Sequence, residues 1–224
     1  MPGKPGFRVN SEWRRPDAAT LGAFGEASPA QVADCMSRLG AMEAGIRAIW
    51  RNPRVIGAAL TAWCHAGDNL MIHKALSLAR EGDILVVNTQ NSGNSGFGEL
   101  LATSALKSGV RAVIVDGTVR DADALEAMRL PVYARGLCPN GCNKDGPGEA
   151  GGVVACGGVA VRPGDVILAD CDGVTVVPLG DAAEVAAMAA GQMIREKKRM
   201  EEIGRGVLVR PEIDETLRRL KVID

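Results

Sequence analysis

Two all-apolar runs of four, Ile84-Leu85-Val86-Val87 and Ala112-Val113-Ile114-Val115, stand out in the chain's hydrophobic pattern. Each is bounded by turn residues, which is the signature of a strand buried on both faces. Between them lie a polar stretch, 88–96, and a segment from Glu99 to Lys107 with helical spacing that closes near Gly109. Strand, helix, strand over roughly 30 residues is a βαβ unit, so the two strands are expected to be parallel neighbours. Other elements read similarly. Ser28-Pro29 opens a helix through Val32, Cys35, Met36 and Leu39 that ends at Gly40. Thr61 to Cys64 is apolar, His65 to Asn69 a turn, and Leu70 to Ala79 a helix. A short helix is expected over 122–128, with extended chain resuming at Pro131 to Ala134.

After Gly151 the pattern changes. Val153 to Ala155, Val159 to Val161, Val166 to Ala169 and Val174 to Val177 are short apolar runs cut by Gly, Pro and Asp, as in successive strands. Ala182 to about Ile203 is a long helix, apolar first and then charged, and 211–220 is a final helix. The fold class is therefore α/β. The expected organisation is an N-terminal arm over 1–27, one catalytic domain over 28–205 and a C-terminal helical extension over 206–224.

Composition narrows the function classes. Lys and Arg number 26 against 27 Asp and Glu, so no general polyanion-binding surface is expected. Aromatics at 3% argue against base stacking, and nucleic acid is not an expected partner. No apolar run approaches the roughly 18 residues that span a bilayer, and residues 1–8 lack a signal-peptide core. A cytoplasmic protein without a membrane partner is expected. The six cysteines are then read as thiols rather than a disulfide framework. Cys138 and Cys142 form one pair without further zinc ligands nearby, in a loop continuing flexibly through Lys144 to Glu149.

Chemistry concentrates in Gly96-Phe97-Gly98-Glu99-Leu100-Leu101-Ala102-Thr103 and Val119-Arg120-Asp121. A glycine loop entering a helix presents free N–H groups to an anion. Arg120 suits a carboxylate, and Asp121 suits a hard divalent cation. Both follow the second strand, so they should meet the start of the helix at the carboxyl ends of the strands. Asp116 and Asp123 are further candidates beside a metal, His65 for the pocket's edge, and Lys144 for a second substrate carboxylate. His73 reads as structural, within a helical pattern.

The arrangement resembles the class II pyruvate aldolases that cleave 4-hydroxy-4-methyl-2-oxoglutarate and 4-carboxy-4-hydroxy-2-oxoadipate. That family shares ancestry with the regulator of ribonuclease activity A. Its hallmark is an acidic residue, twenty intervening residues, then Arg-Asp, as in Glu99 followed by Arg120-Asp121. The likeness extends through Gly67-Asp68-Asn69, Gly82-Asp83, Pro163-Gly164-Asp165 and Asp172-Gly173, over about residues 28–205. It implies an α/β/β sandwich of the swivelling phosphohistidine-domain type, assembled as a homotrimer or homohexamer. It implies Mg²⁺ or Mn²⁺ on Asp121, and backbone N–H groups of Gly98 to Leu101 on the carboxylate of a 2-keto acid. Arg120 would stabilise the pyruvate enolate. Glu99 would orient a water on that metal as proton carrier. Glu196 from a neighbouring subunit would complete the site, with Glu201 and Glu202 as competitors. The same enolate would allow oxaloacetate decarboxylation. The regulators typically lack the Asp after the Arg, so Asp121 favours the enzyme over the alternative, a non-catalytic protein-binding regulator of ribonuclease activity.

Overall fold

The computed structural model describes residues 3–51 and 53–224; residues 1 and 2 of the expected arm lie outside them. The fold is a mixed α/β one. The centre of the sheet is parallel: β2 (Val55–Cys64), β3 (Asp83–Asn88), β5 (Ala112–Val119) and β6 (Val132–Leu137), in the spatial order β6-β5-β3-β2. The two apolar runs pair in parallel from Ile84↔Ala112 to Val87↔Val115, as a βαβ unit requires. Antiparallel strands extend both edges. β1 (Arg47–Ala48) lies on β6, while β10 (Val166–Asp170) lies on β2 and carries β11 (Gly173–Val177). β4 (Ser95–Phe97) joins the end of β5, and β7 (Gly148–Ala150) the end of β2. β8 (Val154–Cys156) and β9 (Val159–Val161) form a separate hairpin.

Alternate side chains send each strand into two different cores. Leu85, Val87, Val113 and Val115 pack under α3 (Leu70–Leu76), α4 (Glu99–Lys107) and α5 (Ala122–Ala127). Their neighbours Ile84, Val86, Ala112 and Ile114 face the other way, onto the β8–β9 hairpin and Met42 to Ile46. A third cluster lies where β10 and β11 meet α2 (Pro29–Cys35) and the first turns of α6 (Ala182–Gly204). Both faces of the central strands are thus covered, which is why those strands read as unbroken apolar runs rather than alternating ones.

The sequence boundaries shift where tertiary contacts intervene. α2 begins with the capping box of Ser28 and Gln31 but stops at Cys35, short of Leu39. Ser37 and Arg38 take left-handed conformations, and the Arg38 N–H reaches the carbonyl of Ala33. The chain has to turn early because Gly40 presses against β11, where a Cβ would lie 2.2 Å from the Val176 carbonyl oxygen. β5 runs four residues beyond its apolar part, to Val119, because its polar residues find partners. Asp116 binds Arg135 and the Gly157 N–H, and a Cβ on Gly117 would meet Thr89 Oγ1 at 2.0 Å.

The N-terminal stretch, polar enough to read as an arm, is packed on the body. It contains α1 (Ala18–Gly22), and Phe24 and Ala27 are fully buried. Arg15 grips Asp83 at the start of β3 through two bonds, Nε to Oδ1 at 2.9 Å and Nη2 to Oδ2 at 2.8 Å. Asp83 is 1% exposed, and the guanidinium also bonds the Leu78 carbonyl and stacks on Trp13. At the other end α7 (Pro211–Arg219) buries none of its residues.

Removing one partner of a buried pair leaves the other charge without compensation. Arg15→Ala is therefore expected to destabilise the fold by about 3–5 kcal/mol. Urea unfolding should show a lower midpoint at an unchanged slope. Arg15→Lys should recover only part of the loss, since a lysine cannot make the two-bond fork.

Candidate functional site

The site begins where β4 hands over to α4. Phe97 pairs with Val119 at the end of β5, and the Arg120 N–H donates to the Phe97 carbonyl at 3.0 Å. Two chain segments more than 20 residues apart are thereby locked side by side at the carboxyl ends of the strands. Gly98 is the N-cap of α4 and has no side chain to satisfy the helix's first donors. Asp121 supplies the cap instead: its Oδ2 accepts the Glu99 N–H at 2.9 Å. To do so Asp121 stands in the left-handed region (φ 60°, ψ 40°) as the residue before α5. Such a conformation in a non-glycine residue is held by its surroundings at some energetic cost and often marks a functional position. Contact here is close enough to require glycine at 98, where a Cβ would lie 2.6 Å from Asp121 Oδ2 and 2.9 Å from Arg120 Cγ.

A cavity of about 280 Å³ opens at this junction. It brings together Gly98, Glu99, Leu100, Leu101, Arg120 and Asp121 with Asn69, His73, Cys142 and Lys144. Arg120 and Asp121 are both about two-fifths exposed, with Nε and Oδ2 3.6 Å apart. The cavity thus holds a guanidinium, an ammonium and a helix N-terminus against two carboxylates. On their far side Arg120 and Asp121 also border a second, more apolar hollow with Ala122, Leu137, Cys138 and Pro139. Anions of small size find three donors here, and the carboxylates leave a place for a cation.

The donor set suits a hard divalent ion. Asp121 commits Oδ2 to Glu99 and Arg120, and its Oδ1 has no partner among the described residues. One or two carboxylates with waters suffice for Mg²⁺, which does not need an all-protein cage. A denser grouping of metal-binding side chains, Asp170, Cys171 and Asp172, sits on the β10–β11 turn and does not line this cavity.

Other candidate residues fall elsewhere. Glu196 lies outside the cavity of its own chain, where Gln31 and then Gln192 hold its carboxyl below the usual carboxylate range by hydrogen bonding. Asp116 turns to Arg135 and Gly157, away from the cavity. His65 contributes its backbone N–H to Pro147 and does not line the cavity. His73, which reads as structural from its helical pattern, does line it. Burial and then the Lys144 charge lower the His73 pKa, so the ring is neutral near pH 7.

The loop carrying Cys138 and Cys142 is a wall, not a free strap. Ser95 N–H bonds Asn140 O, Asn94 Nδ2 bonds Gly141 O, and Asp68 pairs with Asn143 in an isolated bridge. All six cysteines are free thiols. Burial, and then the negative charge of Asp68, raises Cys142, which makes it a poor nucleophile at neutral pH.

Comparison with known proteins assigns the chain to a family. The sequence model of the RraA-like family, described as Aldolase/RraA, matches residues 29–176, well over half of the chain. A Halalkalibacterium halodurans protein named "Putative 4-hydroxy-4-methyl-2-oxoglutarate aldolase" is 32% identical over 178 residues, covering 79% of this chain and 85% of the relative. Among solved structures, Streptomyces coelicolor RraAS2, described as an unusual member of the RNase ES inhibitor RraA family, superposes with a TM-score of 0.73. It is 27% identical, with 87% of this chain and 99% of that one covered. The RNA-processing inhibitor RraA of Thermus thermophilis gives a TM-score of 0.62 at 28% identity, over 68% and 93% of the two chains. Among the described residues no helix is long and apolar enough to cross a membrane. On the extent of the family match and the identity to its curated relative, the chain belongs to the RraA-like (Aldolase/RraA) family.

Proposed function

We propose that this protein is a lyase that splits 4-hydroxy-2-oxo di- and tricarboxylic acids into pyruvate and a second keto acid. The observation that carries the reading is the single cavity in which Glu99, Arg120, Asp121 and the N-terminus of α4 converge. The naming of the Halalkalibacterium relative as an aldolase supports it.

Each group has a task that its chemistry suits. The first-turn N–H groups of Leu100 and Leu101 have no carbonyl partner within α4, and they receive the substrate's 1-carboxylate. Arg120 stabilises the negative charge that builds on the C2 oxygen as the C3–C4 bond breaks. Glu99 orients a water that takes the C4 hydroxyl proton as the C3–C4 bond breaks and returns it to C3, turning enolate into pyruvate. Lys144 and neutral His73 meet the carboxylate at the substrate's far end. A divalent ion, Mg²⁺ or Mn²⁺, held by Asp121, supplies Lewis-acid polarisation of the 2-keto oxygen when bound. Oxaloacetate decarboxylation passes through the same enolate and belongs to the same activity.

The cavity's open side calls for a further wall. In a homotrimer or homohexamer Glu196 of a neighbouring subunit supplies it, already ionised by its two amide partners. Helices on one face of the sheet and a hairpin on the other are what support the α/β/β swivelling-domain description. The proposed setting is the cytoplasm, with a small 2-keto acid as partner.

Pyruvate release from 4-hydroxy-4-methyl-2-oxoglutarate and from oxaloacetate should require Mg²⁺ or Mn²⁺ and stop with EDTA. A coupled assay with lactate dehydrogenase reads it directly. No metal-dependent pyruvate from either substrate would return the chain to the non-catalytic regulators of its family. Asp121→Ala should cost at least about 100-fold in kcat, since even groups beyond the ligands of metal sites can cost that much. The variant's circular dichroism should remain native. Gly98→Ala should cost about 100-fold by pushing Asp121 and Arg120 out of place, the scale of a 1 Å misplacement.

A further inference from the structure

We propose that Asp68 is a positioning residue for the outer half of the cavity, and that through it the protein selects substrates by their far end. The inference rests on the aldolase reading of the cavity. Asp68 lies in the turn between β2 and α3 and is 3% exposed. None of the ion pairs among the described residues includes it. Its carboxylate is instead spent on three backbone donors. Oδ1 accepts the Leu70 N–H at 2.8 Å, at the first turn of α3. Oδ2 accepts the N–H groups of Asp145 at 2.7 Å and Gly146 at 2.9 Å. Hydrogen bonds donated to a carboxylate are the stronger kind, and two of these join segments 77 and 78 residues apart. Two backbone bonds run alongside: Asn69 N–H to Asn143 O at 3.0 Å and Asn143 N–H to Gly67 O at 2.8 Å.

What Asp68 joins matters for substrate choice. α3 carries His73 into the cavity, and the loop beyond Cys138 carries Cys142 and Lys144 into it. One buried carboxylate, together with those two backbone bonds, therefore sets the spacing between the two groups that meet a distal carboxylate. The inner half touches these segments where Asn69 Nδ2 bonds the Gly96 carbonyl and the Ser95 N–H bonds Asn140 O, but it has further anchors of its own. Arg120 is held by Phe97, and Asp121 by the Glu99 N–H; neither bond involves Asp68. Loosening Asp68 should act on binding of the far end and leave the pyruvyl chemistry alone.

Asp68→Asn tests this, because an amide offers only one acceptor oxygen to three donors. The KM for 4-hydroxy-4-methyl-2-oxoglutarate should rise about tenfold with kcat within about twofold, the mark of lost uniform binding. Exchange of the pyruvate methyl protons with D₂O, followed by NMR, uses only the inner half and should stay within about twofold of wild type. A parallel fall in both readouts, or an unchanged KM, overturns the proposal. If the variant does not fold, the wild-type protein decides by amide exchange. Protected Asp145 and Gly146 amides support the hold on the loop, and exchange at unstructured rates overturns it. Wild-type protein that catalyses neither reaction defeats the aldolase reading itself, which the amide measurement distinguishes from a failure of the Asp68 contact.

Discussion

A helix that starts with glycine has unsatisfied donors and no cap of its own, and the candidate site is organised around this defect. Asp121 caps α4 from across the sheet, reaching the Glu99 N–H from a left-handed backbone position. The contact fixes Asp121 against the helix, leaves one carboxylate oxygen uncommitted, and pulls Arg120 to the same spot. It also keeps Gly98 small, since any side chain there would displace both residues. The three features on which the functional reading depends, a donor-rich helix end, a guanidinium and an open carboxylate oxygen, are thus one arrangement rather than three coincidences.

The sheet makes that arrangement stiff. β3 and β5 are buried on both faces, so neither can shift without disturbing two cores at once. β4 is only three residues long, yet it couples the polar loop after β3 to the tip of β5 and sets the level at which α4 begins. The outer half of the cavity is built differently. His73 comes from a helix and Lys144 from a loop, and backbone bonds together with the Asp68 carboxylate hold the two together. Under the proposed function, an inner half held by the sheet and an outer half held by a helix and a loop suit one chemistry on a constant fragment and binding of a variable remainder.

Local pattern was enough to read the inner half. The apolar runs at Ile84 and Ala112 mark β3 and β5 and their parallel pairing, and Glu99 at the helix start and Arg120-Asp121 after the second strand meet in one cavity. The remainder was illegible for reasons that are all non-local. Residues 116–119 look like a loop because their polar groups are satisfied by Arg135, Gly157 and Ser92, far along the chain. His73 looks structural because it sits within the helical pattern of α3; the loop from Cys138, arriving 65 residues later, makes that position a cavity wall. That loop reads as flexible since nothing within it is apolar, and its order comes from bonds to Asp68, Asn69, Asn94 and Ser95. Polar composition hid the packing of the N-terminal stretch in the same way. Phe24 and Ala27 are too few to mark a core segment, and Arg15 is recognisable as an anchor only once Asp83 is seen beneath it.

That anchor separates two boundaries that are easily taken as one. The family's shared sequence starts at residue 29, whereas the folding unit reaches back at least to Arg15. A chain cut to the shared region would keep every residue of the cavity and still leave Asp83 with the Arg80 N–H but without its guanidinium, at the root of the strand that feeds the polar loop beside α4. Arg15 brings its guanidinium from outside the residues that the family model matches, so the folding unit is larger than the matched segment.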